Sequence, residues 1–175
     1  TVAGASDQQT VLPEVAKRFE RETKVHVTTS FGSSGNFFAQ IQNGAPFDVF
    51  LSADVEYPGR LEDAGLAVKG SLTEYAVGHI VLWTKKDSGV NVSMGFGILA
   101  SPRVRRIAIA NPEHAPYGRA AVAALDHERL YQELQKKLVF GENVAQAAQF
   151  AQSGNADAGI LSLSFATSPP LKSAG

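Results

Sequence analysis

Phe31-Gly32-Ser33-Ser34-Gly35-Asn36 is the stretch on which the fold of this chain turns. Ahead of it, Lys24-Val25-His26-Val27-Thr28-Thr29 alternates with the period of two expected of a half-buried strand. Behind it, Phe37, Phe38 and Ile41 recur at helical spacing until Asn43-Gly44 supplies a stop. The hexapeptide therefore reads as a strand-to-helix turn, with Ser33 and Ser34 at the helix start and small glycines beside them. Ala3-Gly4-Ala5-Ser6, with Asp7 behind the serine, reads the same way. So does Asn111-Pro112-Glu113-His114-Ala115-Pro116-Tyr117-Gly118, ahead of the Arg119-Ala120-Ala121-Val122 helix. Gly141-Glu142-Asn143-Val144 opens a further helix, lined by Val144, Ala147, Ala148 and Ala151 and ending at Ser153-Gly154. Taken singly, each is an ordinary N-cap. Together they suggest more, because helix N-termini carry unpaired N–H groups and partial positive charge and so bind anions without Lys or Arg.

Working outward, Phe47 to Ser52, Val77 to Trp83 and Arg106 to Ala110 read as strands, and Ala158 to Leu161 less strongly. Val11, Leu12, Val15, Ala16 and Phe19 recur at helical spacing, with Pro13 tolerable in the first turn. Strand alternating with helix predicts an α/β architecture with mainly parallel sheet, whose ligand sites lie beyond the carboxyl ends of the strands. A polar break near Tyr75 to Lys86 suggests a division, placed at 1–78 and 79–175. The final Ser168 to Gly175 reads as a loop.

The 175 residues are 44% hydrophobic and 19% charged, with net charge −1 at pH 7. Such a chain buries a core, and it lacks the basic stripe that nucleic acid or an acidic membrane surface requires. It has no cysteine, hence no disulfide frame, thiol catalysis or Cys-based metal site. His26, His79, His114 and His127 lack metal-ligand spacing, and His114 reads as a surface or rim residue. Gly32-Ser33-Ser34-Gly35 is not the Gly-x-Ser-x-Gly elbow of hydrolases. Asp54 reads as a cap for the helix toward Leu61, and Asp157 as a turn residue. No catalytic residue and no cofactor is assigned.

A fully deprotonated tetrahedral dianion accepts hydrogen bonds at every oxygen and donates none. A pocket of backbone N–H, Ser and Tyr donors matches it, whereas a protonated phosphate brings a donor that finds no acceptor. Leaving that group unpaired costs roughly 1–3 kcal/mol. Sulfate is also acceptor-only, so cavity size alone separates it from larger oxyanions.

From Val2 to about Ser164 the chain resembles the periplasmic molybdate-binding proteins of ABC importers. The resemblance is strongest from Phe31 through Gln40-Ile41-Gln42-Asn43-Gly44-Ala45-Pro46-Phe47-Asp48-Val49-Phe50-Leu51-Ser52-Ala53-Asp54. It continues in Asn111 to Gly118, Gly141 to Val144 and Ser153-Gly154-Asn155-Ala156-Asp157-Ala158-Gly159. It implies a two-lobed type II periplasmic-binding-protein fold, each lobe a mainly parallel sheet flanked by helices, closing on molybdate or tungstate. The metal would be bound only as the oxyanion. Ser6 and Ser34 match the family's hydroxyl ligands from one lobe, and Tyr117 and the Val144 amide match those from the other. Ser33 and Asp7 flank these positions and complete the candidate set. Some members place a Tyr near the position of Ser162, where Tyr117 would supply the phenol instead. Three departures stand out. Asp7 replaces a usually neutral residue, the opening strand is short, and the family's return segment, which completes the first lobe, is expected to be missing after Ser164. The implied partners are a small oxyanion and the permease subunits of an importer, with the protein a periplasmic monomer whose signal peptide has been removed. A sensor domain of the same fold and a binding protein for sulfate or phosphate stand as alternatives.

Overall fold

The computed structural model describes all residues, Thr1–Gly175, and divides into two compact units, Thr1–Val77 and Gly78–Gly175.

In the first unit, β1 (Val2–Ala5) runs into a 3-10 turn (Ser6–Thr10) and then α1 (Leu12–Thr23). β2 (Thr29–Gly32) leads to α2 (Ser34–Gln42), and β3 (Val49–Leu51) leads to α3 (Glu56–Asp63). The sheet order is β2-β1-β3, and both pairings are parallel, with Ala5 opposite Gly32 and Gly4 opposite Leu51. Each strand thus points its carboxyl end toward the same edge. Phe38, Tyr57 and Leu61 form the core between α2 and α3, and Arg60 lays its guanidinium over the Phe38 ring at 4.3 Å.

The strand expected over Lys24 to Thr29 is corrected in this unit. Lys24 to Thr28 is not strand: Lys24 closes α1 with a left-handed φ of 64°, and the Val27 N–H donates to Glu20 Oε1 at 2.7 Å rather than to a neighbouring strand. The alternation there follows a helix exit, and ladder pairing begins at Thr29. The helical spacing in α1 is real, but only Leu12 and Ala16 are buried by the sheet. Val11, Val15 and Phe19 form an adjacent stripe that remains exposed.

In the second unit, β4 (Ile80–Trp83) is followed by three 3-10 turns, β5 (Ile107–Ala110), α4 (Pro116–His127) and the short α5 (Tyr131–Leu134). Then come β6 (Leu138–Gly141), α6 (Val144–Ser153), β7 (Ala158–Ser162), α7 (Leu163–Ala166) and α8 (Pro169–Ala174). The order is β4-β7-β5-β6, with β4 antiparallel to β7 and the rest parallel. β5 is buried along its whole length, and its side chains alternate between two cores. Ala108 and Ala110 face the cluster that includes Ala147, Ala148 and Ala151 of α6. Ile107 and Ile109 face the cluster that includes Ala121 and Leu125 of α4. Small residues on one face and branched ones on the other let helices cover both faces, as a parallel sheet requires.

Several elements here lie outside the sequence reading, among them α5, α7, β6 and α8. β6 is four residues long and Phe140 is 48% exposed, so its apolar signal is short and one-sided. The Ser168 to Gly175 stretch is not a loop, because α8 forms with prolines in its first turn, where a missing N–H costs nothing. Leu171 is buried by it, and the Leu171 carbonyl accepts from Trp83 Nε1 at 3.3 Å.

Asp157 anchors the turn into β7. Its Oδ2 accepts from the N–H groups of Arg105 and Arg106, each at 2.9 Å. Burial pushes its carboxyl up, but those two donors and the neighbouring Arg charges outweigh burial and hold it below the usual range. A carboxyl depressed in the folded state stabilises fully above its unfolded pKa of about 3.9, and the contribution is lost as pH falls through the folded value. Asp157→Asn is therefore expected to flatten the acid limb of the stability profile below about pH 4. Denaturant melts across that range check this, and an unchanged acid limb would contradict it.

Candidate oxyanion-binding site

The candidate groups of the first unit gather at the carboxyl edge of its parallel sheet, where chain exits in α/β sheets place ligands. Ser6 follows β1 directly and is 3% exposed. It does not cap α1, as the sequence suggested. It opens the 3-10 turn, and α1 begins only at Leu12. Ser33 is the N-cap of α2, its Oγ accepting from the Asn36 N–H at 3.3 Å.

Ser34 is 1% exposed, and its Oγ accepts from the Ala53 N–H at 3.0 Å. A hydroxyl has one proton and two lone pairs. The bond from Ala53 occupies one lone pair, so the Ser34 proton is directed away from that N–H toward another acceptor. A turn after β3 thereby turns a serine after β2 into a directed donor.

Asp7 is buried beside Ser6, and its Oδ2 accepts from Gln8 Nε2 at 3.0 Å. The same Gln8 Nε2 reaches Tyr75 Oη at 3.2 Å, and Tyr75 Oη donates to the Ser52 carbonyl at 2.7 Å. Burial, and then the Asp7 charge, push the Tyr75 phenol up to about 12, so it keeps its proton and remains a donor. Gln8, Ser52 and Tyr75 escape a sequence reading because their contacts span 67 and 23 residues. The N-cap of α3 is Val55, not Asp54 as the sequence suggested; Asp54, one residue ahead, accepts from the Tyr57 N–H at 3.3 Å through Oδ1.

In the second unit, β5 and β6 are parallel neighbours, with Ala110 opposite Gly141. Their carboxyl ends lead into α4 and α6. Tyr117 is the second residue of α4, after Pro116. Val144 is the first residue of α6, 2% exposed, behind the N-cap Asn143, whose side chain accepts from the Gln146 N–H at 3.1 Å. Its amide therefore belongs to the helix-initial N–H groups that have no partner within the helix. Tyr117 and Val144 pack on one apolar cluster, with Ala110, Ala115 and Ala147. His114 and Glu142, in the two connections leading into these helices, approach to 3.7 Å. Ser162, buried at the end of β7, caps α7 and lies 2.9 Å from Ser164 Oγ.

Gly118 lets α4 begin so close to β5. A Cβ there would lie 2.2 Å from the Ala110 carbonyl oxygen and 2.7 Å from the Pro112 nitrogen, both backbone atoms that cannot retreat.

The family model for bacterial extracellular solute-binding proteins matches residues 1–174. The chain belongs to that family. This solute-binding protein is 45% identical over 163 residues to the Molybdate-binding protein ModA of Azotobacter vinelandii, covering 93% of the chain and 64% of that relative. It is 41% identical over 151 residues to the ModA of Rhodobacter capsulatus, covering 86% of the chain and 59% of that relative. It thus spans a little under two thirds of the length of these curated relatives. Among solved structures, the Azotobacter vinelandii periplasmic molybdate-binding protein superposes with a TM-score of 0.86 at 40% identity, covering 93% of this chain and 70% of the other. The α/β fold of this solute-binding protein is accordingly the type II periplasmic-binding-protein fold.

Proposed function

We propose that this solute-binding protein captures molybdate, or the isosteric tungstate, and hands it to the membrane subunits of an ABC importer. The observation that carries the reading is Ser34: a fully buried hydroxyl that accepts from the Ala53 N–H on one side and has its proton to give on another. A directed donor suits a ligand that only accepts. The names of its relatives support the same chemistry.

The hydroxyl donors assigned to the first unit are Ser6 and Ser34, and the donors assigned to the second unit are Tyr117 Oη and the Val144 amide. Ser33 and Asp7 contribute through the turns they belong to, Ser33 by capping α2 and Asp7 through the first amides of the 3-10 turn. The two units are the two lobes of the fold. None of the direct donors is cationic, so selection rests on the ligand having no proton to place. Hydrogen phosphate would bring one, at a cost of roughly 1–3 kcal/mol. The protein works in the periplasm as a monomer, and its ligand is the only inorganic group it needs.

Tyr117→Phe tests the reading. It removes one donor and keeps the ring in the apolar cluster, so the expected loss is about 1.5–3 kcal/mol of molybdate affinity, the range for a hydrogen bond to a charged group. Equilibrium dialysis against molybdate, with sulfate and phosphate as competitors, reads it out. An unchanged dissociation constant removes Tyr117 from the site, and equal retention of all three anions contradicts the selectivity.

A further inference from the structure

Gly78 opens the second unit and leads into β4. It is not among the residues with positive φ, so its backbone is open to any L-residue. What sets it apart is space. A Cβ built on Gly78 would lie 2.7 Å from the Tyr117 hydroxyl oxygen, 3.4 Å from Cζ and 3.7 Å from Cε1. The last two are ordinary van der Waals separations, whereas the first is too short for carbon and oxygen. The empty side of Gly78 is therefore matched to one atom, the phenol oxygen, and not to the ring.

We infer that Gly78 is a positioning residue for Tyr117: by lacking a side chain it leaves the phenol oxygen the place it occupies and so permits its donor geometry toward the anion. The inference rests on the reading of Tyr117 as a donor to the oxyanion. A methyl at this position is cheap for the fold, because Tyr117 is only partly buried and its far end can swing aside. It is expensive for binding, because hydrogen bonds weaken steeply once distance and angle depart from their optimum. Stability and affinity should consequently separate at Gly78, as they do not at a residue that merely packs.

The test is a double-mutant cycle on Gly78→Ala and Tyr117→Phe, titrated with molybdate. Gly78→Ala alone is expected to weaken binding about tenfold, the loss of most of one hydrogen bond. In the Tyr117→Phe background the oxygen is gone, so Gly78→Ala should add less than about twofold, and the difference between the two backgrounds measures the coupling. Equal losses in both backgrounds would overturn the inference, since Gly78 would then act through the backbone and not through the phenol. An unaffected Gly78→Ala would overturn it as well. If Gly78→Ala folds poorly, recovery on adding Tyr117→Phe supports the clash, and no recovery contradicts it. A crystal structure of Gly78→Ala reads the phenol directly: a displaced Tyr117 hydroxyl is expected, and an unmoved one contradicts the inference. That readout needs no anion. Failure of the wild-type protein to bind molybdate would thus count against the proposed function alone.

Discussion

Ser34→Ala is expected to cost more molybdate affinity than any other single side-chain truncation in the site. Two losses combine. The donor to the anion goes, worth about 1.5–3 kcal/mol for a bond to a charged group. The Ala53 N–H, which donates to Ser34 Oγ at 3.0 Å, loses its acceptor in the same step. A buried donor left unpaired costs about 1–3 kcal/mol, which shows as lost stability in the free protein and as a disordered β3–α3 turn. Ser34→Thr retains both functions and is expected to recover part of each, limited by the extra methyl in a site 1% exposed. Titration calorimetry and thermal melts of both variants check this. A Ser34→Ala protein with native affinity and native melting temperature would contradict it.

Gly118→Ala is expected to be the most damaging small substitution for the fold of the second unit. The added carbon meets the Ala110 carbonyl at 2.2 Å and the Pro112 nitrogen at 2.7 Å. Both belong to β5 and the turn after it, so relief requires α4 to lift from the sheet. Overpacking of this kind costs about 1–3 kcal/mol, and more where backbone must move. Lifting α4 pulls Ala121 and Leu125 from a core in which each is fully buried, and it moves Tyr117 with the helix. Stability and binding should thus fall together, in contrast to Gly78→Ala, where they part. Chemical denaturation and a molybdate titration of the same variant check the pairing. Native stability would show that α4 tolerates the shift.

Local signals account for what the sequence made legible. The Phe31 to Gln42 segment combines a strand end, a capping serine and aromatic residues at helical spacing, and each feature points to the same strand-turn-helix. The Arg106 to Ala110 run reads as a strand because β5 is buried on both faces and so is apolar throughout. The start of α6 was legible from Asn143, a cap acting within three residues. What stayed hidden depends on partners far along the chain. Lys24 to Val27 alternates like a strand, yet the Val27 N–H is drawn to a helix side chain, and backbone bonding to β1 starts only at the Thr28 carbonyl, which accepts from the Val2 N–H. The stripe of Val11, Val15 and Phe19 looks like a buried face, but burial falls on Leu12 and Ala16 one position away. The bond that orients Ser34 comes from Ala53, 19 residues on, and no local pattern announces it. Gly78 is silent in sequence for the same reason, because its role is defined by an atom of Tyr117.

The most direct test of the account is isothermal titration of the wild-type protein with molybdate, with sulfate and hydrogen phosphate titrated in parallel. Saturable one-to-one binding of molybdate is expected, with weaker binding of sulfate and weakest binding of phosphate at pH values where it carries a proton. Phosphate bound as tightly as molybdate, or no saturable heat with any of the three, would contradict a site of neutral donors built for an acceptor-only dianion.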